Sequence, residues 1–386
     1  MGVSPAAGGM FQYAQAMAAA LEACMPRERL LFAYVDPEWQ PILERHAVDS
    51  LRLPAGRLSL WLANAIMAMR LPGKLARWLG YVNPMFAAMR RAGDLWIFPG
   101  QDAAGYQLDR PAIVTVHDLM HRYEPHFPEV ANTGRRKIRD HRFANLIDWA
   151  QAVLVDSETG KHHVVESYGA DPDTIFSLPY VPSPHVVGGE EPSDFEQRFP
   201  LPAKFLFYPA QFWEHKNHRR LFEAVAVVSA QAPDLFLVCT GSHAHAFPDV
   251  AQHARELEIS DQILFPGYVP DAYLGGFYRR ARALVMPTFF GPTNIPPLEA
   301  FAYGCPVAIS DKYGMPEQAG NAALLFNPAS VASIANAIRR LWTDDALCAD
   351  LSKKGLQRSR AWQPLHFRHR LKTILEEVRK AQPRLR

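Results

Sequence analysis

What this chain lacks narrows its chemistry before any motif is read. No run approaches the roughly 20 consecutive apolar residues that a membrane-spanning helix needs. Met1 to Ala20 lacks a basic start and is broken by Gly2, Pro5, Gly8 and Gly9, so no signal peptide is expected. Four cysteines, Cys24, Cys239, Cys305 and Cys348, stand far apart with no Cys-x-x-Cys pair. That spacing gives no zinc site and suits reduced thiols inside a cell. Net charge is nearly absent: 41 basic against 39 acidic residues leave +2, too little for a global field that draws nucleic acid. No Gly-x-Gly-x-x-Gly follows any candidate strand, which argues against a dehydrogenase. The expected location is the cytoplasm, with the inner face of the plasma membrane as a candidate surface.

What is present is length and alternation. At 386 residues and 48% hydrophobic content, the chain suits two domains of ordinary size. Short apolar runs at 30–35, 95–99, 112–116, 152–155 and 175–178 read as strands buried on both faces, with helical patterns between them. A second series follows at 205–208, 235–239, 262–265, 283–286, 307–310 and 322–326. The fold class expected is α/β, with two Rossmann-like domains of parallel, doubly wound sheet facing a cleft. Composition shifts between Pro182 and Pro202, where Gly188, Gly189, Glu190, Glu191 and Pro192 break every pattern. The domains expected are 1–185 and 203–362 with a linker at 186–202, and a helix at about 363–386 packing back on the first. At the start, Gly8-Gly9 closes a glycine-rich loop that opens an alanine-rich helix from Met10 to Cys24. A strand would normally precede such a loop, yet only Met1 to Val3 are there to form one.

Between Asp49 and Asp94 no acidic residue occurs, while Arg57, Arg70, Lys74, Arg77, Arg90 and Arg91 are interleaved with Trp61, Trp78 and many Leu and Met. Pro72-Gly73 and Pro84 divide the stretch into two or three short helices. Basic residues beside large apolar ones fit a face that lies on anionic lipid over residues 57–91. Ordinary buried helices fit equally well.

The chemistry is expected at loops that leave the carboxyl ends of strands. From Phe290 to Pro306 the chain reads as a turn, a short helix and a strand. Thr293 or Asn294 would cap the helix, Pro296 and Pro297 suit its first turn, and Gly304 suits its end. Such a helix start favours an anion, and Glu299, expected in the first turn, is either a dipole-satisfying acid or an acceptor for ribose hydroxyls. Lys216 lies where the first strand of the second series enters a helix, able to meet a phosphate with a compact charge. His117 with Asp118 ends a strand of the first series, and the run Arg135 to Arg142 reads as a solvated helix face. The one Asp-x-Asp pair, Asp171 and Asp173, precedes a strand and is poorly placed to hold a metal in a cleft.

The second half resembles the nucleotide-binding domain of family 4 retaining glycosyltransferases of the GT-B fold. The matching segments are Lys216-Asn217, Thr240-Gly241-Ser242, Phe265-Pro266-Gly267-Tyr268-Val269-Pro270, Met286-Pro287-Thr288, Pro296-Pro297-Leu298-Glu299, Gly304-Cys305-Pro306 and Pro316-Glu317. The first half resembles the acceptor domain more loosely, through Gly8-Gly9, Val116-His117-Asp118, Asp156-Ser157 and Leu178-Pro179. The resemblance implies that Glu299 holds the ribose, Lys216 neutralises the diphosphate, and Gly241, Ser242, Tyr268 and Val269 lie about the base. It implies that Thr293, Asn294 and Ile295 carry the sugar and β-phosphate, that Gly8 and Gly9 approach the diphosphate, and that His117 lies near the reacting carbon. Two positions depart from the pattern: Gly291 stands where the family has its first glutamate, and Gln211 stands where an arginine partners the lysine. The activity implied is metal-independent hexosyl transfer, of mannose or rhamnose type, from a nucleoside-diphosphate sugar to a saccharide or lipid-linked acceptor, with no cofactor. A non-catalytic nucleotide-sugar-binding protein and a nucleotide-sugar epimerase remain as alternatives.

Overall fold

Runs of Val, Ile, Leu and Ala bounded by helical segments form strands that bury both faces, because helices cover a parallel sheet on either side. In the computed structural model, residues 8–26, 29–46, 48–100, 104–184, 186–243 and 246–380 are described. The glycine-rich residues ahead of Gly8 and the strand considered at Met1 to Val3 lie outside them. Two compact units result: Met1–His126 with Val130–Tyr180 and Pro364–Arg386, and Phe127–Glu129 with Val181–Gln363.

The first unit contains two parallel sheets. One pairs β1 (Leu31–Tyr34) with β2 (Asp49–Arg52), and the other runs β3 (Trp96–Phe98), β4 (Ala112–Thr115), β5 (Ala152–Val155), β6 (Ile175–Ser177) in sequential order. The expected single sheet is therefore divided. β2 was hidden from the sequence reading because Asp-Ser-Leu-Arg carries no apolar alternation, and it is mostly exposed. β4 and β5 are buried at every residue. The helix Gly9–Cys24 buries Tyr13, Met17 and Leu21. The last helix, Pro364–Lys380, joins this unit, and its Phe367 ring meets Tyr13 edge-on at 5.8 Å.

The stretch 57–91 forms three helices, Arg57–Ala68, Gly73–Gly80 and Pro84–Ala92. Their two faces differ in burial. Ala63, Ile66, Ala76, Phe86 and Met89 are buried, whereas Leu58, Trp61, Met69, Trp78 and Val82 are more than half exposed. Arg57, Arg70, Lys74 and Arg91 are exposed on the same helices and turns. No helix among the described residues is long and apolar enough to cross a membrane.

The second unit has one six-stranded parallel sheet, in the order β12-β11-β10-β7-β8-β9. Its strands are β7 (Leu206–Pro209), β8 (Leu237–Thr240), β9 (Ile263–Gly267), β10 (Ala283–Met286), β11 (Val307–Ser310) and β12 (Ala323–Phe326). The segment 186–202, expected as a linker, packs into this unit: Val186, Phe195 and Phe199 are buried in its core. Each buried Phe contributes about 1.5–3 kcal/mol, which offsets the backbone entropy of ordering the residues around it. Its acids are paired too. Glu191 bridges Arg279 at 2.7 Å and Arg280 at 2.8 Å, and Arg280 first, then Arg279, hold its carboxyl down at about 2.

Candidate functional site

The chain passes from β7 outward to β8 and β9, then returns to the other side of β7 to lay down β10, β11 and β12. Progression reverses between β7 and β10, so the loops leaving their carboxyl ends diverge and leave a crevice, the usual ligand position in an open α/β sheet. The β7 loop runs from Ala210 through a single 3-10 turn, Glu214–Lys216, to Asn217, and the β10 loop runs from Pro287 to Asn294.

Main-chain bonds fix the spacing of these loops. Phe289 N donates to His215 O at 2.8 Å, and Thr288 Oγ1 donates to His215 O at 3.2 Å. Asn217 adopts the left-handed conformation, φ 64°, which asparagine tolerates better than most residues. Its buried amide donates to Pro287 O at 2.9 Å and to Pro328 O at 2.8 Å. Tyr208 Oη donates to Lys216 O at 2.8 Å, which sets the lysine backbone. From there Lys216 Nζ reaches across and donates to Asn294 Oδ1 at 3.2 Å. The structure thus brings Lys216 and Asn294 together.

The helix after the β10 loop, Ile295–Ala302, starts as the sequence indicates but works differently. Asn294 is its N-cap, yet its side chain makes no capping bond. Gln318 holds the Asn294 backbone instead, accepting from its N–H at 3.1 Å and donating to its carbonyl at 2.7 Å. Pro296 and Pro297 occupy the second and third helical positions and have no N–H to offer. With the Asn294 N–H taken, this helix start is a poor cradle for an anion, and the positive charge at the crevice comes from Lys216.

Gly291 has φ +114°, where an L side chain is strained. A Cβ there would lie 2.8 Å from Asn294 Nδ2 and 3.1 Å from its Oδ1. The place where the resembling family carries a glutamate is filled here by the Asn294 amide. Thr293 and Ile295 beside it are buried. Gln211, at the position of the family's arginine, accepts from Trp213 Nε1 at 2.7 Å. Along the same carboxyl edge, Gly241 follows β8 and donates its N–H to Gly267 O at 2.8 Å. Ser242 and Tyr268 are exposed there, and Val269 is buried.

Glu299 falls in the second turn of its helix; no acid occupies the first. It is therefore no first-turn dipole partner. Its carboxylate is buried, with Oε2 accepting from Tyr278 Oη at 2.7 Å and Oε1 making no hydrogen bond. Burial outweighs the Tyr278 bond and pushes its pKa up to about 7. It faces the helix Asp271–Arg280 that carries Tyr278, and no bond joins it to Lys216 or Asn294.

Two groups at this edge escaped the sequence reading. Glu129 lies in a segment from the first half of the chain that belongs to the second unit; its Oε1 accepts from His215 N at 3.4 Å and lies 3.0 Å from His215 Nδ1. Burial works against the charge, but the His215 bonds hold the Glu129 carboxyl below its ordinary value. Nothing in local sequence ties position 129 to position 215. His218, next after Asn217, is buried against Phe212 at 4.4 Å between ring centres, and burial pushes it down to about 3.

In the first unit, Gly8 caps the helix Gly9–Cys24 with φ 60° and ψ −125°. His117, just past β4, is buried and both its ring nitrogens are engaged. Because a carbonyl only accepts, Nε2–H donates to Pro99 O at 2.9 Å, which leaves Nδ1 to accept from Tyr180 Oη at 2.9 Å. Burial holds it neutral, with its pKa lowered to about 4. A histidine with both nitrogens so engaged is a positioning group, not a free base. The basic run is only partly solvated: Arg139 pairs with Asp118 at 3.1 Å and Arg142 lies over Phe143.

Comparison with known proteins bears on the fold and on part of the second unit. Residues 190–358, inside the second unit, match the family described as glycosyl transferases group 1. A D-inositol 3-phosphate glycosyltransferase of Corynebacterium glutamicum (strain R) is 26% identical over 264 residues, 65% of this chain and 63% of that protein. The alignment thus spans less than two thirds of that relative. An O-antigen chain mannosyltransferase B of Escherichia coli is 25% identical over 269 residues, 67% of this chain and 68% of that protein. Among solved structures, Anabaena Alr3699/HepE, crystallised with UDP and glucose, superposes with a TM-score of 0.69 at 16% identity, covering 94% of this chain and 96% of that one. The fold is GT-B, with a Rossmann-like parallel architecture in both units, and the likeness to group 1 glycosyl transferases from the family model is confined to part of the second unit.

Proposed function

We propose that this protein is a retaining, metal-independent glycosyltransferase that moves a hexose from a nucleoside-diphosphate sugar to a saccharide acceptor. The observation that carries the reading is the Lys216–Asn294 pair at the switch between β7 and β10. The departing group carries a diphosphate, and the transition state gains where a fixed positive charge meets the charge that develops on it. Lys216 supplies that charge, and Asn294 orients it while offering its amide N–H to a sugar hydroxyl. Glu299 takes a ribose hydroxyl on Oε1, the buried oxygen with no other partner. Gly241, Ser242, Tyr268 and Val269 receive the base along the same edge. Within the first unit, burial holds His117 neutral. A mannose-type donor is favoured by the mannosyltransferase among the relatives.

The acceptor in this reading is lipid-linked, for synthesis of a cell-surface polysaccharide. It is supported by the exposed Trp61, Trp78 and Leu58 set among Arg57, Arg70 and Lys74, a combination suited to the interface of an anionic bilayer. Vesicles of phosphatidylglycerol should sediment the protein, and Trp61→Ser with Trp78→Ser should release it. Retention of the double variant on the vesicles refutes this surface.

Calorimetric titration with UDP-, GDP- and dTDP-hexoses, followed by donor hydrolysis and transfer assays, tests the main reading. One donor should bind and turn over. Lys216→Ala should then cut transfer by about 10²–10³, the usual cost of removing one transition-state charge or donor. Binding without turnover in the unmodified protein identifies a non-catalytic binder, and conversion of the donor without acceptor identifies an epimerase.

A further inference from the structure

Three residues from the first half of the sequence, Phe127–Glu129, belong to the second unit and lie against both loops of its crevice. Glu129 Oε1 accepts from the His215 N–H at 3.4 Å and lies 3.0 Å from His215 Nδ1. Burial raises this carboxyl, but the His215 bonds outweigh it and hold the group below its ordinary value, so it is ionised near neutral pH and only accepts. His215 Nδ1 therefore carries the hydrogen, and one carboxylate oxygen holds the backbone and the ring of the same residue. The Phe127 ring lies 5.4 Å from that of Phe289 and 6.3 Å from that of His215, between ring centres.

His215 is the middle residue of the turn Glu214–Lys216, so what holds it holds its neighbours. The Lys216 N–H donates to Trp213 O at 3.0 Å, and the His215 carbonyl accepts from the Phe289 N–H at 2.8 Å and from Thr288 Oγ1 at 3.2 Å. Glu129 thus grips the β7 loop at the residue that also ties it to the β10 loop. One residue farther on, Lys216 reaches Asn294. A lysine ammonium rides on a flexible four-carbon stem, so its aim depends on the backbone that carries it.

Packing alone does not account for an acid at position 129. Its Oε2 is buried and makes no hydrogen bond. An oxygen left so costs stability, and an apolar side chain of similar size would avoid that cost but could not hold His215.

We infer that Glu129 is a positioning residue for the donor diphosphate, fixing through His215 the turn from which Lys216 is aimed. The inference rests on the role proposed above for Lys216. The sign of one substitution separates positioning from plain charge. By charge alone, removing an acid near the lysine strengthens the grip on an anion; as a positioning group, its removal weakens that grip.

Calorimetric titration of the whole chain with UDP, GDP and dTDP identifies the diphosphate that binds. Glu129→Ala should weaken that diphosphate by about tenfold, the scale of one lost hydrogen bond to a charged group, and leave the matching nucleoside unchanged. Glu129→Gln, whose Oε1 still accepts from His215, should restore most of the affinity. In a Lys216→Ala background, Glu129→Ala should have no further effect, because both act through one contact. Tighter binding of the diphosphate by Glu129→Ala overturns the proposal. Equal losses for diphosphate and nucleoside, equal losses in the alanine and glutamine variants, or an undiminished loss in the Lys216→Ala background do the same. Amide exchange needs no ligand and keeps this inference separate from the donor reading: Glu129→Ala should speed exchange at Lys216 and Phe289 by about tenfold. Unchanged exchange at both amides overturns the fastening whatever the titrations give. If none of the three diphosphates binds the unmodified chain while exchange is speeded, the donor reading fails and the fastening of the turn by Glu129 stands.

Discussion

The two units apply the same β-α alternation to different ends. In the second, six strands form an unbroken ladder, and its reversal between β7 and β10 sets Lys216 opposite Asn294. In the first, among the described residues, the ladder is divided, with a cavity between β1 and β3. Continuity of a sheet thus decides whether its carboxyl edge has a fixed spacing. The second unit has an edge that main-chain bonds hold to measure, and the first, among the described residues, has an edge interrupted between β1 and β3.

The contrast extends to one buried titratable group chosen from each unit, Glu299 and His117, where the largest effect is expected. Glu299 has an ordinary pKa of 4.5 and is raised to about 7, so the folded state holds its proton more tightly than the unfolded one. Stability should therefore fall as pH rises from about 4.5 to 7 and stay about 2–4 kcal/mol lower above that. His117, ordinarily at 6.5 and lowered to about 4, has the opposite slope. Its contribution is full above about pH 6.5 and is lost as pH falls toward 4. Denaturant midpoints of Glu299→Gln and His117→Gln against the parent, from pH 4 to 8, should diverge in opposite directions. The first variant gains relative stability toward high pH and the second toward low pH. Parallel curves would show that burial does not set these protonation states.

Smaller effects should separate the glycines. Gly291→Ala places a methyl group in a strained conformation and against the Asn294 amide, so a loss of about 1–3 kcal/mol is expected. Donor affinity should fall with it, because the Lys216 contact is displaced. Gly8→Ala in the first unit is strained too, but a Cβ there meets nothing within 4 Å. Its cost should be about 1 kcal/mol. Equal costs would mean that Asn294 does not occupy the Gly291 side-chain space in solution.

Most of this architecture is legible in the sequence because buried parallel strands announce themselves as short runs of Val, Ile, Leu and Ala. β2 announces nothing, since its residues gain their place from β1 alone. The 186–202 segment misleads in the other direction. Its glycines and acids read as a spacer, whereas Phe195 and Phe199 are core residues and Glu191 answers two arginines distant in sequence. In the site, Lys216 and the Gly291–Asn294 turn could be read from their positions after strands. What could not be read was how they are used: that Asn294 fills the Gly291 position, that Gln318 takes the Asn294 backbone, and that Glu129 binds His215. Each of these depends on a partner far away in sequence.

Asn217 gives the second unit a particular kind of tolerance. Both hydrogens of its amide go to main-chain oxygens, at Pro287 and Pro328, and a carbonyl is present whatever side chain its residue bears. The loops after β7, β10 and β12 therefore share a fastening that ignores the spelling of two of them. Apart from Thr288, whose hydroxyl bonds His215, and Gly291, whose backbone is left-handed, substitutions in the β10 loop can retune what the crevice accepts while its width is kept. Because the Asn217 amide and the Phe289 N–H both bind main-chain oxygens, the crevice's dimensions and its selectivity can evolve as separate traits.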